Sequence, residues 1–523
     1  MAANHEWGGM MGRLGGAMLA LAGWLAALPA AATTLVAAIP GDPGHLNPAI
    51  TTASPVHAVA DSVFNGLVAL DRDGNPVPDL ARSWQAGEGG RRYVFTLDPA
   101  ARWQDGRPVT ADDVVFTFRD VLLRHHARTR ASLGPALPTV EAADAGTVVF
   151  TFERPYAALL RQLDVTEAPI LPRHVYGGAD IASHPANLRP VGSGPFRFES
   201  YRKDDSVVLA RHDGYFKGRP ALDRLVFRVI PDAATQVSAL IQGEVDYLGR
   251  VGPADAARLA GRGVTLLSTR SGPGGANCAM TVAFNLDRPM LADARVRQGF
   301  AMGIDRAQMV DRIIHGQGRV AAAPIASGIE WAHLPGALAA VPHDRAAAGR
   351  LFDVAGLLPG PDGVRATLGI VHFPQFARYS DLMREQLAPL GIRLAARSVD
   401  PAALAQTVFT RRDFDLALIS YCNGVDPEIG VRRMYDSAAI GNVPFSNAAG
   451  YRNGTVDELF RAAAAATDLG ERGRAYRAIQ QEVARDLPYW WLVETDFVSA
   501  HRNAFTGFAP WSGQFAERVR PAN

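Results

Sequence analysis

Residues 190–198 read Pro-Val-Gly-Ser-Gly-Pro-Phe-Arg-Phe, a stretch with two glycines and two prolines at the start of an alternating pattern. Gly192 and Gly194 permit a tight backbone path, and Pro195 fixes φ at the point where a strand begins. Phe196 and Phe198 stand on either side of Arg197, so apolar and polar side chains alternate as they do on a half-buried strand. The stretch therefore predicts a tight turn that leads directly into a strand.

The sequence after this turn continues as an alternation of strands and a helix. Leu225, Phe227 and Val229 alternate in a second strand, and a helix then begins at Asp232 and ends at Gly243. The Gly-Glu-Val-Asp segment that starts at Gly243 leads into a third strand. The order strand, long meander, strand, helix, strand is typical of a mixed α/β unit.

Capping signals predict where other helices begin. Thr110 with Asp113 predicts a capping box at the start of one helix, and Asp305 with Gln308 predicts the start of another. Thr455 predicts the start of an Ala-rich helix in the same way.

The composition is that of a folded protein without an electrostatic preference for nucleic acid. Of the 523 residues, 48% are hydrophobic and 20% are charged, which is globular composition in a chain long enough for several cores. Lys and Arg number 53, and Asp and Glu number 52. This balance excludes the basic footprint of a nucleic-acid-binding protein and argues against recruitment to an anionic membrane by net charge.

The N-terminal residues have the pattern of a secretion signal. Arg13 supplies a positive charge, residues 14–28 are apolar, and Ala30 to Ala32 form a small-residue cleavage site. The pattern predicts export and a mature start near Thr33. The apolar run is short for a retained membrane anchor, and no cysteine stands at the cleavage point to accept a lipid. We therefore expect a periplasmic protein that is not lipid-anchored.

Five segments of the sequence carry a family signature. They are the Pro-Val-Gly-Ser-Gly-Pro-Phe turn at 190–196, Tyr-Phe-Lys-Gly-Arg-Pro at 215–220, Gly-Glu-Val-Asp at 243–246, and the stretches 95–118 and 284–310. On these segments the chain resembles the peptide-binding proteins of ABC importers, the extracellular solute-binding family 5 that includes oligopeptide-, dipeptide- and nickel-binding members. The resemblance extends from about residue 33 to residue 493, and the C-terminal tail matches least.

The resemblance implies an α/β periplasmic binding protein fold with two lobes, mixed sheets, an inserted subdomain and a hinge of two chain segments. The hinge segments are expected near 278–285 and 490–499, and a ligand held by both lobes would close the hinge. The implied boundaries are 1–32 for the signal peptide, 33–56, 184–276 and 494–523 for lobe I, 57–183 for the inserted subdomain beside it, and 277–493 for lobe II.

The main candidates for the ligand site follow a nearly continuous apolar run at 414–420. Such a run is typical of a strand covered on both faces, and ligands of open α/β sheets bind where such strands end. The resemblance implies that the loop after this strand lines the cleft and pairs with the ligand backbone. It also implies that His45, in the loop after the first strand, lies at the cleft. The candidates on the main loop are Tyr421, Cys422, Asn423 and Asp426.

One departure from the family concerns the recognition of a peptide amino terminus. The family's aspartate that holds the α-ammonium group falls near Gly424, where this chain has no acid. Asp426 is the nearest carboxylate, and it either takes that role after a local shift or only shapes an Asp-Pro turn. The departure puts a free α-amino group in doubt as the recognised feature.

Two further candidates each have an alternative explanation. Arg433 could bind a ligand carboxylate through its guanidinium fork, or it could share a solvated helix face with Arg432, which would pair with Asp436. Trp490 and Trp491 are neighbours on a predicted strand and face opposite sides. One of them could face the cleft, or both could pack in the core or the hinge.

The two cysteines of the chain are Cys278 and Cys422. Their spacing does not decide between a disulfide and two separate buried thiols.

Motifs of catalysis and metal binding are missing from the sequence. It contains no His-Glu-x-x-His, Gly-x-Ser-x-Gly, Cys-x-x-Cys or phosphate loop with Gly-Lys-Ser/Thr. His125 and His126 are neighbours that do not share a helix face. We therefore predict no catalytic residue, no metal ligand and no cofactor.

We interpret the chain as the substrate-binding protein of an ABC importer. It would capture a peptide or a similar small polar solute between its lobes, deliver it to an inner-membrane permease, and act as a monomer without nucleic acid. The first alternative is a binding protein for an opine-like or modified amino acid, an oligosaccharide or a chelated metal. The others are a secreted hydrolase, and a periplasmic chaperone or sensor with the same fold.

Overall fold

Two large mixed sheets carry the fold of the computed structural model, which describes residues 33–270, 277–441 and 445–522. The sequence also predicts a Gly-rich loop at 272–275. This loop and the predicted signal peptide at 1–32 lie outside the described residues. No helix within the described ranges combines the length and the apolar character needed to cross a membrane.

The strands of the described residues are β1 (Thr34–Ile39), β2 (Val68–Leu70), β3 (Pro76–Pro78), β4 (Ala81–Gly87), β5 (Arg92–Leu97), β6 (Thr139–Asp144), β7 (Thr147–Thr151), β8 (Phe196–Arg202), β9 (Ser206–Arg211), β10 (Arg224–Val229), β11 (Tyr247–Leu248), β12 (Val264–Thr269), β13 (Asn277–Phe284), β14 (Gly318–Val320), β15 (Ala366–His372), β16 (Ile392–Ser398), β17 (Leu416–Asn423), β18 (Tyr489–Thr495), β19 (Phe497–Arg502), β20 (Phe505–Thr506) and β21 (Arg520–Pro521).

The α-helices of the same residues are α1 (Ser54–Ala60), α2 (Ala111–Phe116), α3 (Leu123–His125), α4 (Ala127–Ser132), α5 (Arg173–Tyr176), α6 (Ala233–Gln242), α7 (Pro253–Leu259), α8 (Pro289–Ala292), α9 (Ala294–Met302), α10 (Arg306–Arg312), α11 (Arg345–Val354), α12 (Ala377–Leu387), α13 (Pro401–Leu404), α14 (Arg432–Tyr435), α15 (Gly454–Ala465) and α16 (Leu469–Asp486). A π-helical segment, Thr117–Leu122, joins α2 to α3, and another, Ala405–Thr410, follows α13.

The first sheet has seven strands and belongs to lobe I. Its order is β12–β19–β11–β1–β10–β9–β8, with β1 parallel to both β10 and β11. One face of this sheet shares a core with the inserted subdomain, in which Leu35 and Phe227 belong to the same apolar cluster as Phe95 and Phe118. The inserted subdomain is therefore packed onto lobe I by a common hydrophobic core.

The second sheet has six strands and belongs to lobe II. Its order is β14–β18–β13–β17–β15–β16, with β15 parallel to both β16 and β17. The central strand β13 is buried along its whole length, because helices cover both faces of the sheet. A separate four-stranded antiparallel sheet, β4–β5–β7–β6, forms the inserted subdomain.

The 190–198 turn packs against the backbone of Val63 and the side chain of Gln104. The Gln104 amide donates to the carbonyl oxygens of Val63, Gly194 and Phe196 at 3.3, 3.2 and 2.9 Å. The N–H of Gly192 donates to the Gln104 side-chain oxygen at 3.1 Å. A Cβ at Gly192 would lie 1.9 Å from the Val63 carbonyl oxygen, so this position admits only glycine. The predicted turn and the strand that follows it are confirmed.

Three of the four predicted helix starts are confirmed, including Asp232 as the N-cap of α6, and one is wrong. Thr110 and Asp113 form the capping box of α2, and Asp305 caps α10. At α15 the N-cap is Asn453, whose side-chain oxygen accepts from the N–H groups of Thr455 and Val456 at 3.0 and 3.2 Å. Asparagine is as strong a cap as threonine, and here it stands earlier in the chain.

The chain passes between the two sheets twice. It leaves β12 at Thr269 and enters β13 at Asn277, and it returns at Asp496, between β18 and β19. The return lies inside the predicted segment 490–499. The first passage precedes the predicted segment 278–285, which is instead a strand of lobe II, because β13 pairs with β17 and β18 along its length. The exact domain boundaries stay a prediction.

Candidate functional site

A cavity of about 90 Å³ lies between the inserted subdomain and lobe II. It is smaller than the roughly 300–1,000 Å³ of a site that encloses a whole ligand, so it fits one end group of a ligand. The residues that line it are Arg128, Ser132 and Glu167 on one side, and Cys422, Asn423, Gly424, Glu428, Ile429, Gly430 and Arg433 on the other.

The lobe II wall is formed by the end of β17, the loop after it and α14. β17 ends at Asn423, beyond the predicted run 414–420, because its last residues pair with the start of β13. The loop then closes on itself, since the N–H of Gly424 donates to the carbonyl of Ile429 at 2.7 Å. Gly430 has a φ of +105° and lies against Asn423. This conformation and close approach favour glycine, and they turn the chain into α14.

Asp426 is buried in this loop and does not face the cavity. Its carboxylate binds the Arg472 guanidinium at 2.7 and 2.8 Å, and it also accepts from the N–H of Glu428 at 3.1 Å. Burial alone would lower the pKa of Arg472, but the Asp426 charge raises it above its ordinary value. The predicted ligand role of Asp426 is therefore replaced by a structural role in this conformation.

Glu428 lines the cavity but its charge is compensated. One carboxylate oxygen accepts from Tyr476 at 3.0 Å, and the other accepts from Arg432 at 3.1 Å. Arg432 also binds Asp436 at 2.8 Å, which confirms the predicted i,i+4 pair. Burial is the main reason that the pKa of Glu428 is raised. The loop after β17 is thus anchored by two ionic contacts to α14 and α16.

Arg433 differs from its neighbour Arg432 in having no such partner. No hydrogen bond or ion pair of its side chain is found in the described part of the chain, and its Nε atom is buried without a partner. Burial lowers the pKa of the Arg433 guanidinium, but the guanidinium of an arginine stays protonated in a protein. Arg433 therefore lines the cavity as a cation without an ion pair, and Glu167 on the opposite wall is a negative charge that acts on it.

The opposite wall carries one compensated pair. Arg128, in α4, places its Nε 3.3 Å from a carboxylate oxygen of Glu167, and its Nη2 donates to the carbonyl of Thr166 at 3.4 Å. The Ser132 hydroxyl donates to the carbonyl of Arg128 at 3.0 Å, and the Gln162 side-chain oxygen lies 3.2 Å from it as an alternative acceptor. These side chains form a neutral polar surface that faces Arg433.

Asn423 and Cys422 complete the cavity. Asn423 is 2% exposed, and its side-chain Oδ1 is buried without a hydrogen-bond partner. Cys422 is exposed and forms a disulfide with Cys278, which lies directly opposite it on β13. Of the two alternatives left open by the sequence, the structure has the disulfide, which suits an exported protein.

Tyr421 and Trp490 lie in the core of lobe II. Tyr421 is 1% exposed and donates to the carbonyl of Ser446 at 3.0 Å. Trp490 is also 1% exposed, with the Arg306 guanidinium 4.0 Å from its ring centroid. Trp491 is likewise buried and donates to Tyr435 at 3.0 Å. Because Tyr489 packs edge-to-face on Tyr421 and Arg306 lies over Trp490, the predicted ligand contacts of Tyr421 and Trp490 are corrected to core packing.

His45 lies in the predicted loop after β1 but not among the residues that line the cavity. It is half-buried, and its Nδ1 accepts from the N–H of Asn47 at 3.2 Å. Burial lowers the pKa of His45, and the nearby His57 charge lowers it further. In this conformation His45 stabilises its own loop.

A buried polar cluster lies behind the Arg128 wall. His57 binds Asp61 at 2.9 Å, and Thr166 donates to Asp61 at 2.9 Å. Beside them, burial raises the pKa of Asp164 to about 7, and the negative charges of Glu167 and Asp61 contribute. The Oδ1 atom of Asp164 has no hydrogen-bond partner.

The lobes meet beside the cavity. The Arg161 guanidinium lies 5.5 Å from the ring centroid of Trp331, and its Nε donates to the carbonyl of Gly74 at 3.2 Å. Trp331 in turn donates to the carbonyl of Val425 at 3.4 Å. Gly74 approaches Val425 so closely that a Cβ there would lie 3.0 Å from its side chain. The cleft is therefore narrow in this conformation.

A larger groove of about 460 Å³ lies on the outer surface of lobe II, beside α10 and α12. Four of its charged residues form two pairs, with Arg384 2.7 Å from Asp381 and Arg312 4.0 Å from Glu385, and Arg378 donates to the carbonyl of Arg312 at 2.7 Å. It has contributions from one lobe only, so we assign the functional site to the smaller cavity in the cleft.

The sequence did not identify Arg128, Glu167 or Arg472. None of them stands in a motif, and each reaches the site or its support from a distant part of the chain. A buried carboxylate needs a cationic partner, so a buried Asp426 would have predicted a residue such as Arg472.

The comparisons with known proteins agree with this architecture. The sequence profile of the bacterial extracellular solute-binding proteins, family 5 (middle region), matches residues 75–442. Protein XP55 of Streptomyces lividans is 30% identical over 478 residues, which cover 89% of this chain and 84% of that protein. The oligopeptide-binding protein AppA of Bacillus subtilis is 26% identical over 470 residues, which cover 86% and 84%.

Solved structures show the same fold. The ABC transporter substrate-binding protein CtaP of Listeria monocytogenes superimposes with a TM-score of 0.82 at 24% identity, covering 94% of this chain and 99% of that one. The binding protein AgaA of A. tumefaciens R10, in complex with agropinic acid, has a TM-score of 0.75 at 24% identity and covers 94% and 99%. With the profile match over most of its length and two lobes that face each other across a polar cleft, the chain belongs to family 5 of the bacterial extracellular solute-binding proteins.

Proposed function

We propose that this protein captures a peptide or a similar small polar solute in the cleft between its lobes and delivers it to an inner-membrane ABC permease. The observation that carries the proposal is the polar cavity lined from both sides of the cleft, with Arg433 and Asn423 unpaired on the lobe II side. Unpaired polar groups of this kind are satisfied when a ligand enters. The relative AppA, an oligopeptide-binding protein, supports the peptide class.

A second candidate is a non-peptide solute, such as an opine-like or modified amino acid. It is favoured by one feature of the cavity, where both lining carboxylates, Glu167 and Glu428, already have cationic partners. The cavity thus offers no free carboxylate to an α-ammonium group. AgaA, whose structure contains agropinic acid, supports this candidate.

The protein would bind its solute without transforming it and would do so in the periplasm. Export rests on the N-terminal pattern of Arg13, the apolar residues 14–28 and the small residues that follow. Intact-mass measurement of the periplasmic fraction tests cleavage near Ala32 and the predicted lack of a lipid. A retained N-terminus or an added diacylglycerol mass would reject these two points.

Native mass spectrometry of protein purified without denaturation tests the ligand class. We expect an added mass that is released by unfolding and fragments as a peptide; a mass that does not fragment into amino acids would favour the second candidate. Protein that was unfolded and refolded serves as the ligand-free control. Incubation of this control with the released ligand should return the ligand unchanged by chromatography, and steady product formation would indicate an enzyme.

A further inference from the structure

We infer that the ligand carries a carboxylate and that this carboxylate binds Arg433, at the cavity formed by Asn423 and the Arg128–Glu167 pair. This inference rests on the proposed function, since it concerns the same cleft, and it names the chemical group by which the ligand is recognised. It holds for a peptide and for a non-peptide solute alike.

The first argument is the charge of Arg433. Its guanidinium is half-buried, and its Nε atom is fully buried without a partner. A buried cation without a partner is unfavourable, and structures normally pair it. The planar fork of arginine matches the two oxygens of a carboxylate, so a ligand carboxylate supplies what the protein lacks here.

The second argument is the charge balance of the other lining groups. Arg128 and Glu167 form an ion pair at 3.3 Å, and Glu428 binds Arg432 at 3.1 Å, a cation that it shares with Asp436. Arg433 is thus the unpaired charge among the lining residues that the structure describes. A ligand ammonium group would meet this positive charge, whereas a carboxylate would neutralise it.

The third argument is the amide of Asn423. It is almost fully buried, and its Oδ1 lacks a partner although its neighbours in the loop are hydrogen-bonded. The Oδ1 atom is covered by Gly430, so the NH2 group is the part of the amide that can donate to a ligand oxygen. Asn423 therefore suits a carboxylate bound next to Arg433.

The size of the cavity agrees with a single end group. Its volume of about 90 Å³ holds a carboxylate and the atoms next to it, while the rest of the ligand would extend along the cleft. The Asp426–Arg472 pair and the Glu428–Arg432 pair fix the loop, so the positions of Asn423 and Arg433 are set before the ligand arrives.

Calorimetric titration of refolded, ligand-free protein tests the inference. The probes are tri-alanine, tri-alanine C-terminal amide, N-acetyl-tri-alanine, and an N-carboxyethyl amino acid as a non-peptide carboxylate. In the parent we expect amidation to weaken binding about tenfold or more, because a charge-assisted hydrogen bond is lost. Acetylation of the amino terminus should change the affinity less than about threefold. In Arg433→Gln the free and amidated peptides should bind equally.

The controls separate binding from folding. Arg461→Gln removes an exposed arginine of α15 and should bind as the parent does. The melting temperature of ligand-free Arg433→Gln should not fall, because the variant loses an unpaired charge, whereas a structural arginine would lower it. The inference is overturned if the parent binds the free and the amidated peptide with equal affinity. It is also overturned if Arg433→Gln still prefers the free peptide as the parent does, or if no carboxylate probe binds. If only the non-peptide probe binds and Arg433→Gln weakens that binding, the peptide proposal is rejected and the inference is supported.

Discussion

Asp426 and Arg472 form a bidentate ion pair whose side chains are 0% and 2% exposed, with N–O distances of 2.7 and 2.8 Å. The pair joins the loop after β17 to α16. The Arg472 Nε also donates to the carbonyl of Ala463 at 3.1 Å, so α15 is held in the same arrangement. The loop that lines the cavity is thereby fixed from behind, by two side chains that are not among the lining residues.

Replacing either member of this pair should destabilise the protein strongly. In Arg472→Met the Asp426 carboxylate stays buried without its partner, and we expect a loss of about 3–5 kcal/mol in the free energy of unfolding. Denaturant unfolding of ligand-free protein measures it. Asp426→Asn should lose a comparable amount, and the double variant should lose less than the sum of the two. Additive losses would show that the two side chains do not interact.

Gly192→Ala should destabilise the protein by about 3 kcal/mol or more, because the new methyl group would overlap the Val63 carbonyl. The matched control is Gly454→Ala, at the first residue of α15, where a Cβ meets open space. Alanine is a better helix residue than glycine, so the control should be neutral or more stable by up to about 1 kcal/mol. Thermal unfolding compares the two, and an unchanged melting temperature in Gly192→Ala would contradict the packing of the turn.

Reduction of the Cys278–Cys422 disulfide should lower the melting temperature. The two cysteines are 144 residues apart in sequence, and a cross-link over such a loop contributes about 2–5 kcal/mol. Calorimetry with and without a reductant measures the effect. The double variant with serine at both positions should have the melting temperature of the reduced parent, and the reductant should not change it. Two titratable thiols in the untreated parent would refute the pairing.

Local signals in the sequence predicted what depends on neighbouring residues. The turn at Gly192, the strand that follows it, and the caps at Thr110 and Asp305 followed from residue types a few positions apart. The cap of α15 was missed by two residues, because Asn453 and Thr455 both have capping side chains and only the packed helix selects between them.

The candidate site was predictable only in part, because its energetics depend on distant residues. Asp426 was identified as the acid of the loop, but its partner Arg472 is 46 positions away, and the pair turns a candidate ligand contact into a support. Arg128 belongs to the inserted subdomain and meets Arg433 only through the packing of the lobes. Arg433 was identified for its chemistry, whereas its lack of a partner could be seen only in the folded chain.

Asp164 should make stability depend on pH between about 4 and 7. Burial raises its pKa to about 7 from an ordinary 3.8, so the folded protein binds a proton that the unfolded chain has already released. The contribution of this proton to stability is complete below the unfolded value and is lost as pH rises to the folded value. Asp164→Asn cannot ionise, so it should resemble the parent near pH 4 and exceed it at pH 8, by at most about 4.4 kcal/mol. Unfolding across this range measures the difference, with the exposed Asp73→Asn as the control that should stay parallel to the parent. Parallel curves for Asp164→Asn and the parent would mean that Asp164 is ionised in the folded protein and is stabilised by Arg128.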